Sequence, residues 1–409
     1  MMDTTVTPFL RGALRVHQPA RGFRFTVDSV LLSGFAWVRE GEDVLDLGTG
    51  TGILLLLLGH RHHPRRLVGV EIDLEMARLA ARNFEENGWS DRSLVVNGDL
   101  RCPGTLTGGA FSLVVSNPPY FPVRSGRAHP DPARARARQQ GSADPMEIVS
   151  AARRNLTPRG RFCLCCPFSD LPAWTSALQA GGLHPRLVRA VRHGPGSEPY
   201  LALVQAVPGP VACFHLPDLV VHLPGGAYGP EAAAWLGDTP PPPWRTLCDA
   251  MVGKLARYLR LLGVPTGYAR DASDDWLLEE ARRTGAVLLT RDRPLLARSA
   301  RRGVRALDPS SDSPAEQLRN VVKALGPLPE NSPPLCLDCG APMLDVDRRE
   351  VLGRVPPYTF LTHRRFSCCA CCGKLTWEGS HLERFRRDVL GGEPGGAGIR
   401  PPPRPFDRE

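Results

Sequence analysis

A two-part α/β protein is what this 409-residue chain predicts, on three observations. Apolar strand-like runs alternate with helical periodicities across residues 10–237, the pattern of a parallel sheet covered on both faces. The proline-rich stretch DTPPPPW, residues 238–244, interrupts that alternation, and a second, shorter α/β pattern follows it. Twelve cysteines, clustered late in the chain, include pairs spaced for metal rather than for disulfides.

Length and composition narrow the classes. A chain of this length predicts two or three units with ample cores, and so more than one function. The net charge of +9 and pI near 9.1 make nucleic acid a natural partner. The start, MMDTTVTPFL, carries no secretory signal, and the run ILLLLLG is far short of the roughly 20 residues a membrane span needs. A cytoplasmic protein without membrane contact is expected, its protein partners unspecified.

In chain order, LRGALRVHQPARGFRFTVDSVLLSGFAWV gives short strand-like pieces leading into a helix that Thr26 or Asp28 caps. VLDLGTGTG is a strand running into a glycine-rich turn. Asp46 lies at the strand end, and Gly48, Gly50 and Gly52 let the backbone turn sharply and approach a ligand that a Cβ would exclude. LVGVEID is a second strand ending in Glu71, whose carboxylate suits two ribose hydroxyls. LEMARLAARNFEENG predicts a helix with Leu74, Ala77, Ala81 and Phe84 inward and Gly88 as its stop. SLVVNGDL is a third strand, followed by Asp99. FSLVVS then breaks into Asn117-Pro118-Pro119-Tyr120, where two prolines fix the backbone and keep it out of a ladder.

These residues resemble the S-adenosylmethionine-dependent methyltransferases of the seven-stranded Rossmann-like class, and Asn-Pro-Pro-Tyr marks members that methylate a planar nitrogen. The resemblance implies S-adenosylmethionine as cofactor, held by Asp46, Gly48, Gly50, Gly52, Glu71 and Asp99. It makes Asn117, Pro118, Pro119 and Tyr120 the catalytic turn. An exocyclic adenine amine or a glutamine amide is a poor nucleophile because its lone pair is delocalised. Asn117 Oδ1 and the Pro118 carbonyl would accept the two N–H groups and localise that pair, with Tyr120 stacked on the ring. QPARGFRFTVDSVLL further resembles the opening of bacterial tRNA adenine-N6 methyltransferases acting on a valine tRNA. LPDLVVHLPGGAYGPEAAAWLGD resembles the closing piece of that family, so the resemblance covers residues 10–237. The rival implied by the same turn is a protein glutamine-N5 methyltransferase of the release-factor type, with a non-catalytic RNA- or protein-binding module after it.

After Tyr120, five arginines fall between Arg124 and Arg138 against one acidic residue, Asp131, a composition suited to phosphate contacts with tRNA or other RNA. MEIVSAARRNL reads as a helix and RFCLCCP as a buried strand with Cys163, Cys165 and Cys166 as core thiols. A helix near 173–180 and the strands RLVRAV and YLALVQAV complete the first part.

Beyond the spacer, RTLCDAMVGKLARYLRLLGV predicts a strand end with Asp249. An amphipathic helix follows, with Leu255, Tyr258, Leu259 and Leu262 inward and Lys254, Arg257 and Arg260 outward. DASDDWLLEEARRTGAVLLTRD adds a helix start with Asp271, Asp274 and Asp275 and a strand leading to Asp292. Carboxylates at several strand ends of one α/β sheet suit Mg²⁺ or Mn²⁺ and phosphodiester hydrolysis. CDAMVGKLARYLRLLG with LLTRD resembles the Mut-seven-type C-terminal RNase domain, a PIN-like nuclease fold. It implies catalytic Asp249, Asp292 and one of Asp274 and Asp275, with Asp308 or Asp312 as a fourth carboxylate. Cys336-Leu-Asp-Cys339-Gly340 and Cys369-Ala-Cys-Cys372-Gly373 are zinc-knuckle pairs, so Cys336, Cys339, Cys369 and Cys372 are expected to hold a structural Zn²⁺. Cys368 and Cys371 share the spacing but lack the following glycine. The expected units are therefore 10–237 (methyltransferase), 238–244 (linker), 245–325 (PIN-like), 332–385 (zinc ribbon) and a disordered tail, 391–409.

Overall fold

The computed structural model describes residues 3–21, 24–106, 110–119, 144–237, 245–326 and 333–377. Tyr120, the arginine-rich segment Arg124 to Arg138, the spacer 238–244 and the tail 391–409 lie outside the described residues. A two-stranded ribbon, β1 (Thr4–Phe9) with β2 (Leu14–Pro19), leads into helix α1 (Val27–Phe35). The large sheet then takes β3 (Asp43–Leu47), β4 (Arg66–Glu71), β5 (Ser93–Asn97), β6 (Phe111–Ser116), β7 (Leu156–Pro167), β8 (Leu183–Arg192), β9 (Pro199–Pro208) and β10 (Phe214–Val220). Its order is β10-β8-β9-β7-β6-β3-β4-β5. Helices α2 (Ile53–His62), α3 (Leu74–Glu86), α4 (Pro145–Asn155), α5 (Leu171–Ala180) and the short α6 (Pro230–Trp235) connect the strands.

Two features depart from the expected pattern. The sheet is mixed, because β9 runs antiparallel to β7 and β8. Only a short loop separates Arg192 from Pro199, and such a loop cannot carry the crossover that a parallel neighbour needs. The closing piece adds an eighth strand, β10, parallel to β8 at the edge. In α3, Leu74 and Ala81 are exposed while Ala77, Leu79, Ala80, Asn83 and Phe84 are buried. The face is rotated because a polar residue belongs to it. Asn83 donates to the carbonyls of His17 (3.0 Å) and Thr51 (2.8 Å) and accepts from the His17 N–H (2.7 Å), tying α3 to β2 and to the glycine turn.

The second unit is a four-stranded parallel sheet, β12-β11-β13-β14. It is built from β11 (Thr246–Cys248), β12 (Thr266–Tyr268), β13 (Val287–Leu289) and β14 (Ala306–Leu307), with helices α7 (Gly253–Leu261), α8 (Asp274–Thr284), α9 (Arg293–Arg301) and α10 (Pro314–Leu325). Arg260 is not on the outer face of α7. It is buried, donating Nε to the Thr266 carbonyl (3.0 Å) and Nη1 to the carbonyls of Leu337 and Asp338 (both 3.1 Å). Those unpaired knuckle carbonyls draw a long cationic side chain inward where periodicity alone predicts a solvated one.

The last unit is a three-stranded antiparallel sheet of β15 (Met343–Val346), β16 (Phe366–Cys369) and β17 (Leu375–Trp377), with α11 (Pro357–Thr362). It packs on the large sheet: Val346, Val351, Val355, Phe366 and Cys368 share one apolar core with residues such as Leu187, Leu203 and Phe214. Polar contacts seal the join. Gln205 Nε2 donates to the Ala370 carbonyl (3.2 Å), Arg186 to the Cys371 carbonyl, and Arg39 Nε to the Cys371 sulfur (3.2 Å). Behind them, buried Arg161 meets both carboxylate oxygens of Glu42 at 2.8 and 2.7 Å. None of the described helices is long and apolar enough to cross a membrane.

Candidate functional site

The cradle is made by three elements meeting at the strand ends. Gly48, Gly50 and Gly52 all take positive φ (77°, 56° and 79°), a conformation costly for any residue with a Cβ. Gly48 and Gly50 face open space, as a ligand's approach requires. At Gly52 a Cβ would meet Ala80 Cβ and Phe84 Cζ, both at 3.2 Å, so this glycine serves helix packing instead. Glu71 accepts from the Gly50 N–H (2.8 Å) on one oxygen and from the Asp73 N–H (3.0 Å) on the other. It thus clamps the glycine turn, a role its position at a strand end did not announce, and each oxygen keeps a lone pair for a hydroxyl. Burial raises its pKa despite those N–H groups.

Asp46 is fully enclosed, and its Oδ1 has no hydrogen-bond partner among the described residues. Burial pushes its pKa up to about 7. An orphaned buried carboxylate beside an open glycine turn fits a cationic ligand such as S-adenosylmethionine. Asp99 lies beyond β5 and forms a bidentate pair with Arg101 (2.6 to 2.9 Å), which lowers its pKa. A pH dependence follows from Asp46. Its folded pKa exceeds the unfolded one, so its contribution to stability is complete below about pH 4 and is lost as pH rises through about 7. Buried Glu40, His62 and His63 also titrate differently on folding, so the Asp46 share is read as a difference: between pH 4 and 7 the melting temperature of Asp46→Asn should fall less, or rise more, with pH than that of the wild type. An unchanged slope in that variant would refute the assignment.

Asn117 follows β6. Its Nδ2 donates to Ser29 Oγ (3.0 Å) in α1, and its Oδ1 accepts from the Cys165 thiol (3.1 Å) in β7. Ser116 Oγ beneath it donates to the Leu47 carbonyl at 2.8 Å, joining this turn to the strand that carries Asp46. Pro118 is buried and Pro119 exposed. Ser29 and Cys165 were not legible as site residues: Ser29 sits in an ordinary helix start, and Cys165 reads as a core thiol.

In the second unit the predicted aspartates gather at the C-terminal edge of the parallel sheet but divide into two groups. Asp249 accepts from the N–H groups of Met251 (2.9 Å) and Val252 (3.2 Å) and from Thr290 Oγ1. The same Thr290 Oγ1 accepts from the Asp292 N–H (2.9 Å), so this threonine joins the two aspartates. Burial, together with the nearby Asp292 charge, raises the Asp249 pKa. Asp274 and Asp275 instead hold Arg298, at 2.9 and 2.5 Å. Asp312 pairs with Arg291 (2.7 Å), and Asp308 caps Ser310.

Cys336, Cys339, Cys369 and Cys372 place their sulfurs within 4.8 Å of one another, the sole such cluster of potential metal ligands among the described residues. Two of the sulfur pairs lie 3.7 Å (Cys336, Cys372) and 3.4 Å (Cys339, Cys369) apart. A tetrahedron with Zn–S bonds of about 2.3 Å has edges of about 3.8 Å, so the donor set fits zinc. The N–H groups of Cys371 and Cys372 both lie 3.3 Å from Cys369 Sγ, as thiolate charge favours. Cys368 is packed in the shared apolar core, while Cys371 packs beside this cluster and takes a hydrogen bond from Arg39.

Comparison with known proteins follows the same division. Residues 44–160 match the model of a methyltransferase domain, and residues 244–389 that of the Mut7-C RNAse domain. A tRNA1(Val) (adenine(37)-N6)-methyltransferase from Cronobacter sakazakii is 32% identical over 208 residues, 51% of this chain and 84% of that protein. The Aeromonas salmonicida protein of the same description is 33% identical over 202 residues, 49% of this chain and 83% of the relative. The one from Porphyromonas gingivalis is 31% identical over 245 residues, 56% of this chain and 92% of the relative. Glycine cradle, Asn-Pro-Pro turn and relatives agree: in its amino-terminal region the chain belongs to the tRNA1(Val) (adenine(37)-N6)-methyltransferase family, and it continues into a Mut7-C RNAse domain.

Proposed function

We propose that residues 10–237 methylate N6 of an unpaired adenine in tRNA, and that residues 245–325 with the ribbon 332–385 form a metal-dependent ribonuclease. The observation that carries the first part is Asn117, gripped on both sides by Ser29 and Cys165 at the same strand-end edge as the open Gly48–Gly50 turn. Bound in the cradle, S-adenosylmethionine supplies an electrophilic methyl group. Asn117 Oδ1, with its amide oriented by Ser29, would accept an N–H of the acceptor amine and draw the nitrogen lone pair out of the ring. The Pro118 carbonyl takes the second N–H, and Tyr120 stacks on the base. Asp46, Glu71 and Asp99 orient the cofactor. Incubation with labelled S-adenosylmethionine and total tRNA, followed by nucleoside analysis, should yield N6-methyladenosine. Label appearing instead in a release-factor glutamine would establish the protein-methylating alternative.

In the ribonuclease reading, Asp249, Asp292 and one of Asp274 and Asp275 hold Mg²⁺ or Mn²⁺. Such an ion activates water and offsets charge on the phosphate. Asp249 and Asp292 are already linked through Thr290, whereas Asp274 or Asp275 would have to exchange Arg298 for the ion. The four cysteines hold one structural Zn²⁺. Asp249→Asn or Asp292→Asn should remove most Mn²⁺-dependent cleavage of single-stranded RNA, while only one of Asp274→Asn and Asp275→Asn does so. Cleavage unaffected by Asp292→Asn or by chelator would refute the nuclease site.

A further inference from the structure

Two histidine–tyrosine stacks stand on the edge of the large sheet that carries Asn117. His193 follows β8 and Tyr200 opens β9, with ring centroids 3.9 Å apart and planes 6° from parallel. His222 follows β10 and pairs back onto Tyr228 across a tight turn, with centroids 5.0 Å apart and 29° between the planes. The register fixes where they lie. Pro167 at the end of β7 faces Leu201, Arg192 faces Pro199, and Val220 faces Arg192, so both stacks emerge at the strand ends beside the Asn-Pro-Pro turn. With strands about 4.8 Å apart, β9 lies about 10 Å from β6 and β10 about 19 Å, the reach of a few nucleotides.

Packing alone does not account for them. His193 and Tyr228 are exposed, so neither ring is held by a core. The Tyr200 hydroxyl is buried, yet it has no hydrogen-bond partner among the described residues. Burial first, then the neighbouring Asp28 and Cys165, raises the pKa of Tyr200, which keeps it a neutral donor. Cys165 is the thiol that fixes Asn117, so this unsatisfied donor borders the acceptor pocket. An unpaired donor there costs stability unless a ligand meets it, and a base offers ring-nitrogen acceptors together with a π face.

We propose that the His193–Tyr200 and His222–Tyr228 stacks are seats for unpaired RNA bases flanking the target adenine. The proposal rests on the tRNA-methylation reading. Stacking is tolerant of sequence and independent of charge, so it adds affinity without adding to the salt dependence that phosphate contacts produce.

The test uses the full chain and an unpaired RNA oligonucleotide carrying 2-aminopurine beside the adenine. His193→Ala and Tyr228→Ala should each raise KM for RNA by about tenfold and abolish 2-aminopurine quenching, with unchanged affinity for S-adenosylmethionine and an unchanged salt slope. His193→Phe and Tyr228→Phe should restore binding. If the wild type methylates RNA while both alanine variants keep its KM and quenching, the seats are refuted and the methylation reading stands. If the wild type methylates a glutamine and no RNA, both fall. A phenylalanine variant that melts like the wild type but loses RNA binding would also overturn stacking.

Discussion

Asn117→Ala is expected to lower kcat for methyl transfer by on the order of 10²–10³, as loss of a fixed hydrogen-bonding group at a reacting centre does, with S-adenosylmethionine affinity unchanged. In the proposed mechanism the acceptor amine is activated where its N–H groups meet fixed acceptors, and Ser29 and Cys165 hold the Asn117 amide. The cradle residues Asp46 and Glu71 belong to other strand ends and are untouched. Ser29→Ala should give a smaller loss, expressed in kcat rather than KM, because Asn117 remains, held by Cys165 but no longer by α1. Calorimetric cofactor binding beside single-turnover rates separates the two effects. Near wild-type turnover in Asn117→Ala would remove the assigned mechanism.

The second large effect concerns metal. Chelation, or the double change Cys369→Ser and Cys372→Ser, is expected to unfold the ribbon, because a unit this short builds little core and metal binding contributes folding free energy directly. The loss should spread. Arg186, Gln205 and Arg39 would lose partners on Ala370 and Cys371, at about 1 kcal/mol for each net hydrogen bond, and the apolar face around Leu187 and Phe214 would open to water. The melting temperature of the methyltransferase unit should therefore fall together with the ribbon's signal. Metal analysis and calorimetry of the stripped protein check this. An unshifted methyltransferase transition would show the two units to be independent, and full zinc retention in the double variant would move the site to Cys368 and Cys371.

How far the sequence reads depends on distance along the chain. The glycine turn, the strand ends at Asp46 and Glu71, the helix from Ile53 and the knuckle pairs are local patterns, and each stands where periodicity and spacing predict. Choosing Cys369 and Cys372 over Cys368 and Cys371 also followed from a local cue, the glycine after Cys372. What failed to read depends on distant partners. Asn83 turns α3 because His17 lies opposite, Arg260 folds inward to carbonyls 77 and 78 residues away, and Cys165 serves Asn117 across 48 residues. No window of one helix contains those partners. For Asp274 and Asp275, helix spacing and helix phase disagree, and Arg298 engages both.

The grip of the second knuckle on the large sheet has a consequence during synthesis. Gln205 leaves the ribosome 165 residues before Ala370, and Arg39 leaves it 332 residues before Cys371. At about 5–20 residues per second, the sheet waits roughly 8–33 s after Gln205 is made for the strand-and-knuckle segment that covers its apolar side. During that interval the nascent methyltransferase presents Leu187, Leu203 and Phe214 to whatever surrounds it. With zinc on the four cysteines as proposed, chaperone dependence and aggregation of this protein should therefore track the speed of translation and the supply of zinc to its last quarter.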